Sequence, residues 1–486
     1  PSIQKDLGAS FTDLQWVIDA YTLALAAVVL TAGSIADRIG RRAVFATGLG
    51  VFAIASLAAG LSPDATFLNI SRAVQGIGAA AMFAVSLALV AQEFPAGKER
   101  ATAMGVYGAS IGVAVAIGPL VGGAITSGLG WRWVFFINVP IGIAAIAVTF
   151  AKLRESRDPN ATRVDWLGLA TFSTGLLMLV LALVRGNAEG WGSPVIVALL
   201  TGAAAMLAAF AVIEQRVAEP MLPLGLFRRR AFTGVQLAAL AVSASLFALF
   251  LYLTLYLQNY LGYSPLQAGL RYLPITLAPF FVAPVAVALM ARVQARVLLA
   301  IGLAATGAGL LLMGGLSTSS SWTALLPGFL VAGIGVGLLN PVIADVALSV
   351  VSKDRSGMAA GINDTFRQVG ISVGVAAWGA IFLAKGADKI STVTAGTPTA
   401  TGDHPRQLLE AASNGQLGSA IAHLPHGAQA LAASATRDGF LGGLNVILVI
   451  GAVVAFAGAI FALWLVREHE IERDQPELIP VREAQL

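Results

Sequence analysis

Long stretches of apolar and small residues, separated by short charged segments, make up most of the chain. An uncharged stretch of about 18 residues or more can cross the hydrocarbon core of a bilayer as an α-helix. The period-2 alternation of outer-membrane barrels is absent. The pattern therefore predicts an all-α polytopic membrane protein. Its thirteen predicted helices lie near 14–36, 43–62, 66–92, 100–126, 132–151, 165–185, 193–213, 232–258, 266–290, 296–316, 322–349, 356–384 and 439–466.

Composition excludes a soluble protein. Hydrophobic residues make up 57% of the chain and charged residues 12%, and the mean hydropathy is +0.80. A soluble domain carries about a quarter charged residues. The sequence pI of about 9.5 fits basic cytoplasmic loops, and without a basic patch rich in aromatic residues we expect the lipid bilayer, not nucleic acid, as the surroundings.

Basic residues concentrate in one alternating set of loops, with clusters at 38–42, 98–100, 152–163, 228–230, 292–296 and 353–355. The short loops of the other set hold only Arg132 and Arg185. The positive-inside rule places the first set, and the tail at 467–486, in the cytoplasm. The segment from about 385 to 438 is then predicted to be a long external loop.

A polar hairpin lies between the first two predicted helices. Its sequence from Gly33 to Arg42 is G-S-I-A-D-R-I-G-R-R, which resembles the G-x-L-A-D-R-x-G-R-[KR] loop of major facilitator superfamily transporters. Without the resemblance, a basic turn that fixes topology would explain it. The resemblance implies a gating loop, and its candidate residues are Gly33, Asp37, Arg38, Gly40, Arg41 and Arg42.

Two internal correspondences indicate two six-helix bundles of common origin. Residues 75–78 (Q-G-I-G) match residues 332–335 (A-G-I-G) at an offset of 257, and the hairpin has a degraded copy at residues 291–296 at an offset of 254. Near-equal offsets are typical of duplicated transporter halves. The helices near 165–185 and 193–213 fall between the halves and are predicted to be an inserted pair.

Three further motifs narrow the resemblance. Leu68–Gly78 resembles the family's fourth-helix pattern with a buried arginine, here Arg72. Residues 117–123 (I-G-P-L-V-G-G) resemble the antiport motif G-P-x-x-G-G, although Ala114 stands where the family often has glycine. Trp131–Pro140 resembles W-R-W-x-F-x-I-N-x-P, which is typical of the fourteen-helix drug exporters. The second motif supplies the gating candidates Gly118, Pro119, Gly122 and Gly123.

The chain as a whole resembles the fourteen-helix drug:proton antiporters of the EmrB/QacA type. Pro1–Leu7 resembles the exit from their first helix, so we expect most of that helix, with its acidic residue, to be missing from this sequence. A genuine thirteen-helix protein is the alternative. The predicted domains are an incomplete N-terminal bundle (1–152), the inserted pair with its linkers (153–231), a C-terminal bundle (232–466) and a cytoplasmic tail (467–486).

Charged residues within the predicted helices are the candidates for proton or cation binding, because an uncompensated charge inside a membrane is costly. The resemblance places Asp19 where several family members have an acid associated with cationic substrates; a structural cap is its alternative role. Asp345 and Asp364 are further candidates. Asp364 and Arg367 could instead form an i,i+3 ion pair, and Arg72 is expected to face a cavity or a carboxylate.

The predicted function is proton-coupled export of amphipathic, often cationic compounds by alternating access, with protons as the coupling ion and no cofactor. Apolar walls with few polar groups suit such substrates. The candidate cavity residues are Tyr21, Gln236, Tyr252, Tyr256, Gln258 and Asn363. The resemblance also implies a multi-pass protein of the bacterial inner membrane, and we expect a monomer; a periplasmic adaptor is left open.

Other functions stay open or are disfavoured. Export of an endogenous metabolite, lipid or siderophore is the main alternative, and a solute-importing symporter of the same fold is disfavoured by the Gly118–Gly123 motif. An enzyme is not expected, since the chain has no cysteine and its four histidines lie in the external loop or the tail. No metal site is predicted, and the absence of a Walker phosphate loop disfavours ATP-driven transport.

Overall fold

The structure is a computed structural model that describes residues 2–94, 98–157, 164–218, 220–350, 356–394, 405–422 and 424–471. Its long helices alternate in direction. They are α1 (Phe11–Ile39), α2 (Arg41–Gly60), α3 (Ala65–Glu93), α4 (Lys98–Gly128), α5 (Asn138–Lys152), α6 (Trp166–Glu189), α7 (Pro194–Arg216), α8 (Arg230–Ser245), α9 (Pro265–Met290), α10 (Ala295–Met313), α11 (Leu326–Ser349), α12 (Ser356–Val393) and α13 (His426–Leu465).

Each predicted span is a helix in the structure, which confirms the all-α fold. Within the described residues, twelve spans are long and apolar enough to cross a membrane. The remaining one, α4, is 31 residues long and contains Pro119. α8 continues through irregular turns to Tyr260, and the short helix Trp133–Phe136 leads into α5.

The predicted external loop is more helical than the sequence suggested. α12 runs nine residues past its predicted end at 384, and α13 begins at His426 instead of 439. Between them, Pro405–Ser413 and Leu417–Ile421 form two short helices. Many of these residues are small or polar, so hydropathy alone placed the helix ends where the apolar stretches end. Leu409 is fully buried, which ties this segment to the core.

Local capping explains several helix starts at the end of the molecule with few arginines. Ser10 and Asp13 form a capping box at α1, and Ser264 and Gln267 form one at α9. Asp64 and Ser193 accept backbone hydrogen bonds at the starts of α3 and α7. Such side chains satisfy N–H groups that have no partner in the first turn of a helix.

The helices pack as two groups with the inserted pair beside them. α1 to α5 form the N-terminal half, and α8 to α13 form the C-terminal half. The halves meet where α1 packs against α12 and where α4 packs against α9. α6 and α7 pack on each other, and α6 also contacts α12 and α1. The inserted pair is thus attached to both halves at one side.

Glycine crossings repeat in the two halves. Gly48 of α2 and Gly78 of α3 are in backbone contact, as are Gly302 of α10 and Gly335 of α11. A Cβ on Gly48 would stand 2.9 Å from the Gly78 carbonyl oxygen, and one on Gly302 would stand 3.0 Å from that of Gly335. The crossings recur at the two offsets found in the sequence, so the duplication extends to helix packing.

Candidate functional site

Asp19 is a carboxylate in the middle of the molecule, on α1. It is fully buried, and among the described residues no hydrogen-bond donor reaches either of its oxygens. A buried, unpaired carboxylate is costly unless it binds a proton or a cation. Asp19 therefore has the chemistry expected of an ion-coupling site.

The neighbours of Asp19 on α1 reach across to the C-terminal half. Gln15 and Thr22 precede and follow Asp19 by one helical turn, so the three share a face. Gln15 Nε2 donates to the Val375 carbonyl at 3.1 Å and to the Tyr252 hydroxyl at 3.3 Å. The Thr22 and Ser372 hydroxyls are 2.5 Å apart. Asp19 thus lies at the interface between the two halves.

Tyr252 interacts electrostatically with Asp19. Tyr252 is fully buried and donates its hydroxyl proton to the Val375 carbonyl at 2.5 Å. It belongs to the irregular extension of α8, where Phe247–Leu249 is a 3₁₀ turn and Tyr256–Tyr260 is a π-helical turn. Such irregular turns often mark functional sites in helices.

Aromatic rings from both halves pack together at the arginine-poor end. We define the aromatic cluster as Phe11, Tyr252, Tyr256, Tyr260, Phe382 and Phe440. Its ring centroids are 5.1 to 6.1 Å apart in successive contacts. Phe11 comes from the N-terminal half and the other five from the C-terminal half. The cluster therefore joins the halves where the positive-inside rule predicts the external face.

Arg72 contacts α1 through neutral groups. Its Nε donates to the Val17 carbonyl at 2.9 Å and its Nη1 donates to Gln75 Oε1 at 2.5 Å. The guanidinium lies 4.2 Å from the centre of the Tyr21 ring. No ion pair of Arg72 occurs among the described residues. Of the two expected surroundings, a cavity or a carboxylate, the described residues supply no carboxylate; Arg72 contacts a carbonyl, an amide and a ring.

A second polar group lies in the C-terminal half. Asn363 donates to Gln236 Oε1 at 3.0 Å, and Arg367 donates to Asn363 at 3.2 Å and to Asn340 at 3.1 Å. These bonds link α8, α11 and α12. Asp364 and Arg367 interact through their charges but form no direct ion pair in the described part of the chain. The i,i+3 pair is therefore not a salt bridge here, and Asp345 lies half-buried on α11.

The predicted cavity residues have different environments. Gln236, Tyr252 and Tyr256 are fully buried, and Tyr21 stacks on Arg72. Gln258 instead lines a cavity of about 330 Å³ between the halves. Its other lining residues include Pro119, Gly122, Gly123, Thr254 and Tyr272. Whether these six side chains line the transport route in another conformation stays a prediction.

The glycine motif of α4 seals this region against α9. A Cβ on Gly123 would stand 2.5 Å from the Pro265 carbonyl oxygen, and one on Gly269 would overlap the carbonyl of Pro119. Ser127 accepts a hydrogen bond from the Leu266 N–H at 3.0 Å. By contrast, nothing lies within 4 Å of a Cβ on Gly118 or Gly122. Gly123 is thus the motif glycine that contact between the halves requires.

The hairpin between α1 and α2 is held by a residue outside the motif. Glu155, beyond the end of α5, accepts hydrogen bonds from the N–H groups of Arg42 at 3.0 Å and Ala43 at 3.1 Å. Its carboxylate also lies 3.8 Å from Arg42 Nε, and a Cβ on Gly40 would overlap it. A carboxylate at the start of α2 complements the helix dipole. The side chain of Asp37 is outside the described residues.

The degraded hairpin copy has a similar cap. Glu468, beyond the end of α13, accepts a hydrogen bond from the N–H of Ala295 at the start of α10. Each half therefore has a glutamate after its last helix that caps the start of one helix of its glycine crossing, α2 or α10. Sequence reasoning missed both, because only the fold brings these glutamates to the hairpins.

Neutralising the hairpin cap should slow transport without abolishing it. Glu155→Gln removes a charge near a helix start worth about 1 kcal/mol, which corresponds to about a fivefold change in a conformational equilibrium. We expect a several-fold lower transport rate with substrate affinity preserved, measured by uptake and by equilibrium binding. Glu189→Gln, in the surface pair with Arg185, is the control. Loss of binding by folded Glu155→Gln protein would contradict this separation of roles.

Asp6 organises the arginine-poor end near the tryptophan-rich motif. It accepts hydrogen bonds from Trp131 Nε1 at 3.0 Å and from Arg132, while Arg132 donates to the Ser62 carbonyl at 3.2 Å. The bonds from Arg132 and then Trp131 lower the pKa of Asp6 below its usual 3.8. Asp6 thereby connects the chain before α1 to the turns before α3 and α5.

The lowered pKa of Asp6 predicts a specific acid response. The stabilisation by its carboxylate is complete above the ordinary pKa and disappears as pH falls through the lowered value. Asp6→Asn should therefore have a slightly lower melting temperature than the wild type near neutral pH, and the difference should vanish in strong acid. The pair is exposed, so the effect is small. A difference in melting temperature that grows on acidification would contradict the lowered pKa of Asp6.

Comparisons with known proteins agree with this helical architecture. The family model described as "Major Facilitator Superfamily" matches residues 1–375. The chain is 39% identical over 380 residues to the puromycin resistance protein pur8 of Streptomyces alboniger, covering 77% of this chain and 75% of that protein. It is 31% identical over 484 residues to the tetracenomycin C resistance and export protein of Streptomyces glaucescens, covering 99% and 89%.

Two further proteins are similar to this chain, one in sequence and one in fold. The multidrug resistance protein Stp of Mycobacterium tuberculosis is 35% identical over 384 residues, with 79% of this chain and 71% of that protein covered. The crystal structure of a bacterial homologue of the human lysosomal transporter Spinster, in an inward-facing and occupied conformation, has a TM-score of 0.59 at 16% identity and covers 97% of this chain and 93% of that one. The similarity to the Spinster homologue concerns the fold alone.

Proposed function

Since the chain belongs to the Major Facilitator Superfamily, we propose that it exports amphipathic, often cationic antibiotics or toxic compounds in exchange for protons. Relatives at 31 to 39% identity are named for resistance to puromycin or tetracenomycin C, or to multiple drugs. The similarity extends over most of both chains, which supports a shared activity. The chain acts as a transporter and carries out no chemical conversion of its substrate.

The inserted pair supports assignment to the fourteen-helix branch. α6 and α7 lie between two halves whose glycine crossings repeat at the offsets of a duplication. The Trp131–Pro140 motif points to the same branch. We therefore propose a drug:proton antiporter of the EmrB/QacA type in the bacterial inner membrane, with the arginine-rich end and the tail in the cytoplasm.

The observation that best supports proton coupling is the burial of Asp19 without a partner. It is fully buried at the interface between the halves, with no donor to either oxygen in the described part of the chain. A proton or a cationic substrate can each neutralise this carboxylate, and both cannot do so at once. Competition for one charge is the simplest way to exchange protons for cations.

The closed aromatic cluster suggests how exchange becomes transport. With the arginine-poor end closed by the aromatic cluster and the Gly123 contact, Asp19 would be reached from the cytoplasm. Substrate would displace the proton from Asp19, the halves would then rock, and opening of the aromatic cluster would release substrate outside. A proton from outside would neutralise Asp19 again and favour the return.

Arg72 takes a positioning role in this account. It binds the carbonyl of Val17, two residues before Asp19, and stacks on Tyr21, two residues after it. It therefore fixes the segment of α1 that carries the carboxylate without pairing with it. Asp345, Asp364 and Arg367 remain secondary candidates for coupling, and Asp364 with Arg367 would act in the C-terminal half.

Export of a metabolite made by the same cell is the second candidate function. The relative from Streptomyces glaucescens is named for export as well as resistance, and another relative is named as a probable actinorhodin transporter. The same cavity and coupling site would serve either substrate class. Measuring which compounds the chain transports distinguishes the two functions.

Transport into everted membrane vesicles tests the proposal. Vesicles containing the chain should accumulate lipophilic cations when an inward-acidic proton gradient is imposed, and an uncoupler should release them. Vesicles without the chain are the control. Accumulation that depends on ATP and persists with the uncoupler, or uptake of only a hydrophilic sugar or anion, would contradict the proposal.

A further inference from the structure

Two buried acids meet at the arginine-rich end of the inserted pair, far along the chain from Asp19. Asp165 stands immediately before α6 and Glu214 lies in the last turn of α7. Their exposed fractions are 8% and 3%. Neither the transport cycle nor the family motifs described above use them.

Each acid is held by one backbone N–H and leaves its other oxygen without a partner. Asp165 Oδ1 caps α6 by accepting from the Gly168 N–H at 2.7 Å, and Glu214 Oε2 accepts from the Leu222 N–H at 3.1 Å. No donor in the described part of the chain reaches Asp165 Oδ2 or Glu214 Oε1. Both carboxyl groups are thus fixed in orientation by the backbone.

The two remaining oxygens face each other. Both lie within 2.8 Å of the point where a Cβ of Gly168 would stand. They are therefore less than about 6 Å apart, a distance at which two buried negative charges strongly disfavour each other. Gly168 is the residue that makes this approach possible, since any side chain would occupy the space between the carboxyl groups.

In the described part of the chain, no cation pairs with either acid. Asp165 is the titratable group whose charge acts on Glu214. Arg216 and Arg228 are exposed, and Arg163 is outside the described residues. On the helices packed against α6, Arg38 of α1 is exposed, and Asp364 of α12 interacts with Arg367. No group of three or more metal-ligating acids, histidines or cysteines occurs among the described residues.

We propose that Asp165 and Glu214 form a second proton-binding site, in which the two carboxyl groups share one proton. The proton neutralises one acid and lets it donate to the other, which satisfies the two oxygens that lack partners. Its release to cytoplasmic water leaves two carboxylates in a buried site. We favour a proton as the ligand because both acids are buried, whereas a metal ion held by only two carboxylates would keep several water ligands.

The position of the two acids connects them to α1, which lies at the interface between the halves. Glu214 holds the segment after α7 through Leu222, and the adjacent Met221 accepts a hydrogen bond from Thr31 of α1 at 3.7 Å. Loss of the proton would push the ends of α6 and α7 apart and loosen this segment against α1. The inserted pair would therefore respond to cytoplasmic pH independently of Asp19.

Infrared spectroscopy of the purified full chain tests the proposal, without substrate and in an Asp19→Asn background that removes the other buried acid. We expect a carbonyl stretch of a protonated carboxylic acid near neutral pH that disappears when the pH is raised, as in acid pairs that share a proton. Glu214→Gln and Asp165→Asn should each abolish it. Glu189→Gln, at the other end of α6, should retain it.

Melting temperatures give a second readout if the band is weak. The wild type should lose stability as rising pH removes the shared proton, whereas Glu214→Gln should be nearly insensitive, because a neutral amide replaces one of the two acids. Asn caps helices as well as Asp does, so Asp165→Asn should fold. An unchanged band in both variants would overturn the proposal. So would stabilisation of the wild type by Mg²⁺ or Ca²⁺ that Glu214→Gln abolishes.

Discussion

Asp19→Asn should lower proton-driven export of cationic compounds by roughly tenfold or more, while export of neutral compounds falls much less. The amide keeps the shape of the side chain but can neither release a proton nor neutralise a cation. Asp19 has no ion-pair or hydrogen-bond partner among the described residues, so its removal should leave the packing of α1 intact. Initial rates in everted vesicles, for matched cationic and neutral compounds, measure the effect.

Asp388→Asn is the matched control for Asp19→Asn, because Asp388 is an exposed acid near the end of α12 that pairs with Lys385. It should transport both substrate classes at the wild-type rate. Asp19→Asn should also show a melting temperature equal to or above that of the wild type, since a buried charge is removed. Equal loss of cationic and neutral transport would argue against a coupling role for Asp19.

Gly123→Ala should abolish most transport through a steric effect at the closed end. Its Cβ would stand 2.5 Å from the Pro265 carbonyl oxygen, so α4 and α9 would have to separate. Overpacking of this kind costs about 1–3 kcal/mol. Only the conformation with the arginine-poor end closed is destabilised by this amount. The equilibrium should shift by roughly one to two orders of magnitude toward the open state.

The same motif provides the controls for Gly123→Ala. Gly118→Ala and Gly122→Ala add the same methyl group where nothing lies within 4 Å, and both should transport nearly as the wild type does. Accessibility of a single cysteine introduced at Gln258, which lines the cavity beside this contact, should rise in Gly123→Ala; the natural chain has no cysteine. Equal transport by the three alanine variants would show that the seal lies elsewhere.

The fold could be predicted from the sequence because helix formation in a bilayer depends on local composition. Each uncharged stretch became a helix, and the offsets of 254 and 257 anticipated the paired glycine crossings. The ends of α12 and α13 could not be predicted in this way. Their additional turns are rich in small and polar residues and are stabilised by contacts such as that of Leu409, buried against α12 and α13.

The site could be predicted only in part, because its contacts join distant segments. The sequence pointed to Asp19, but Tyr252 and Val375, which bind Gln15 one turn before Asp19, lie more than 200 residues away. Arg72 was expected to face a cavity or a carboxylate, and its contact with the Val17 carbonyl could not be predicted, because every residue can offer such a partner. Glu155 could have been suspected as an acid within a basic segment, whereas Glu214 gave no signal until folding placed it beside Asp165.

Exchange of protons for substrate at Asp19 is the central claim, and proton movement in proteoliposomes tests it most directly. Purified chain is reconstituted with a pH-sensitive dye inside, and a lipophilic cation is added outside an acid-loaded vesicle. We predict that the cation makes the interior less acidic in the wild type and has no such effect in Asp19→Asn. Cation transport at the wild-type rate with no accompanying proton movement would contradict the account.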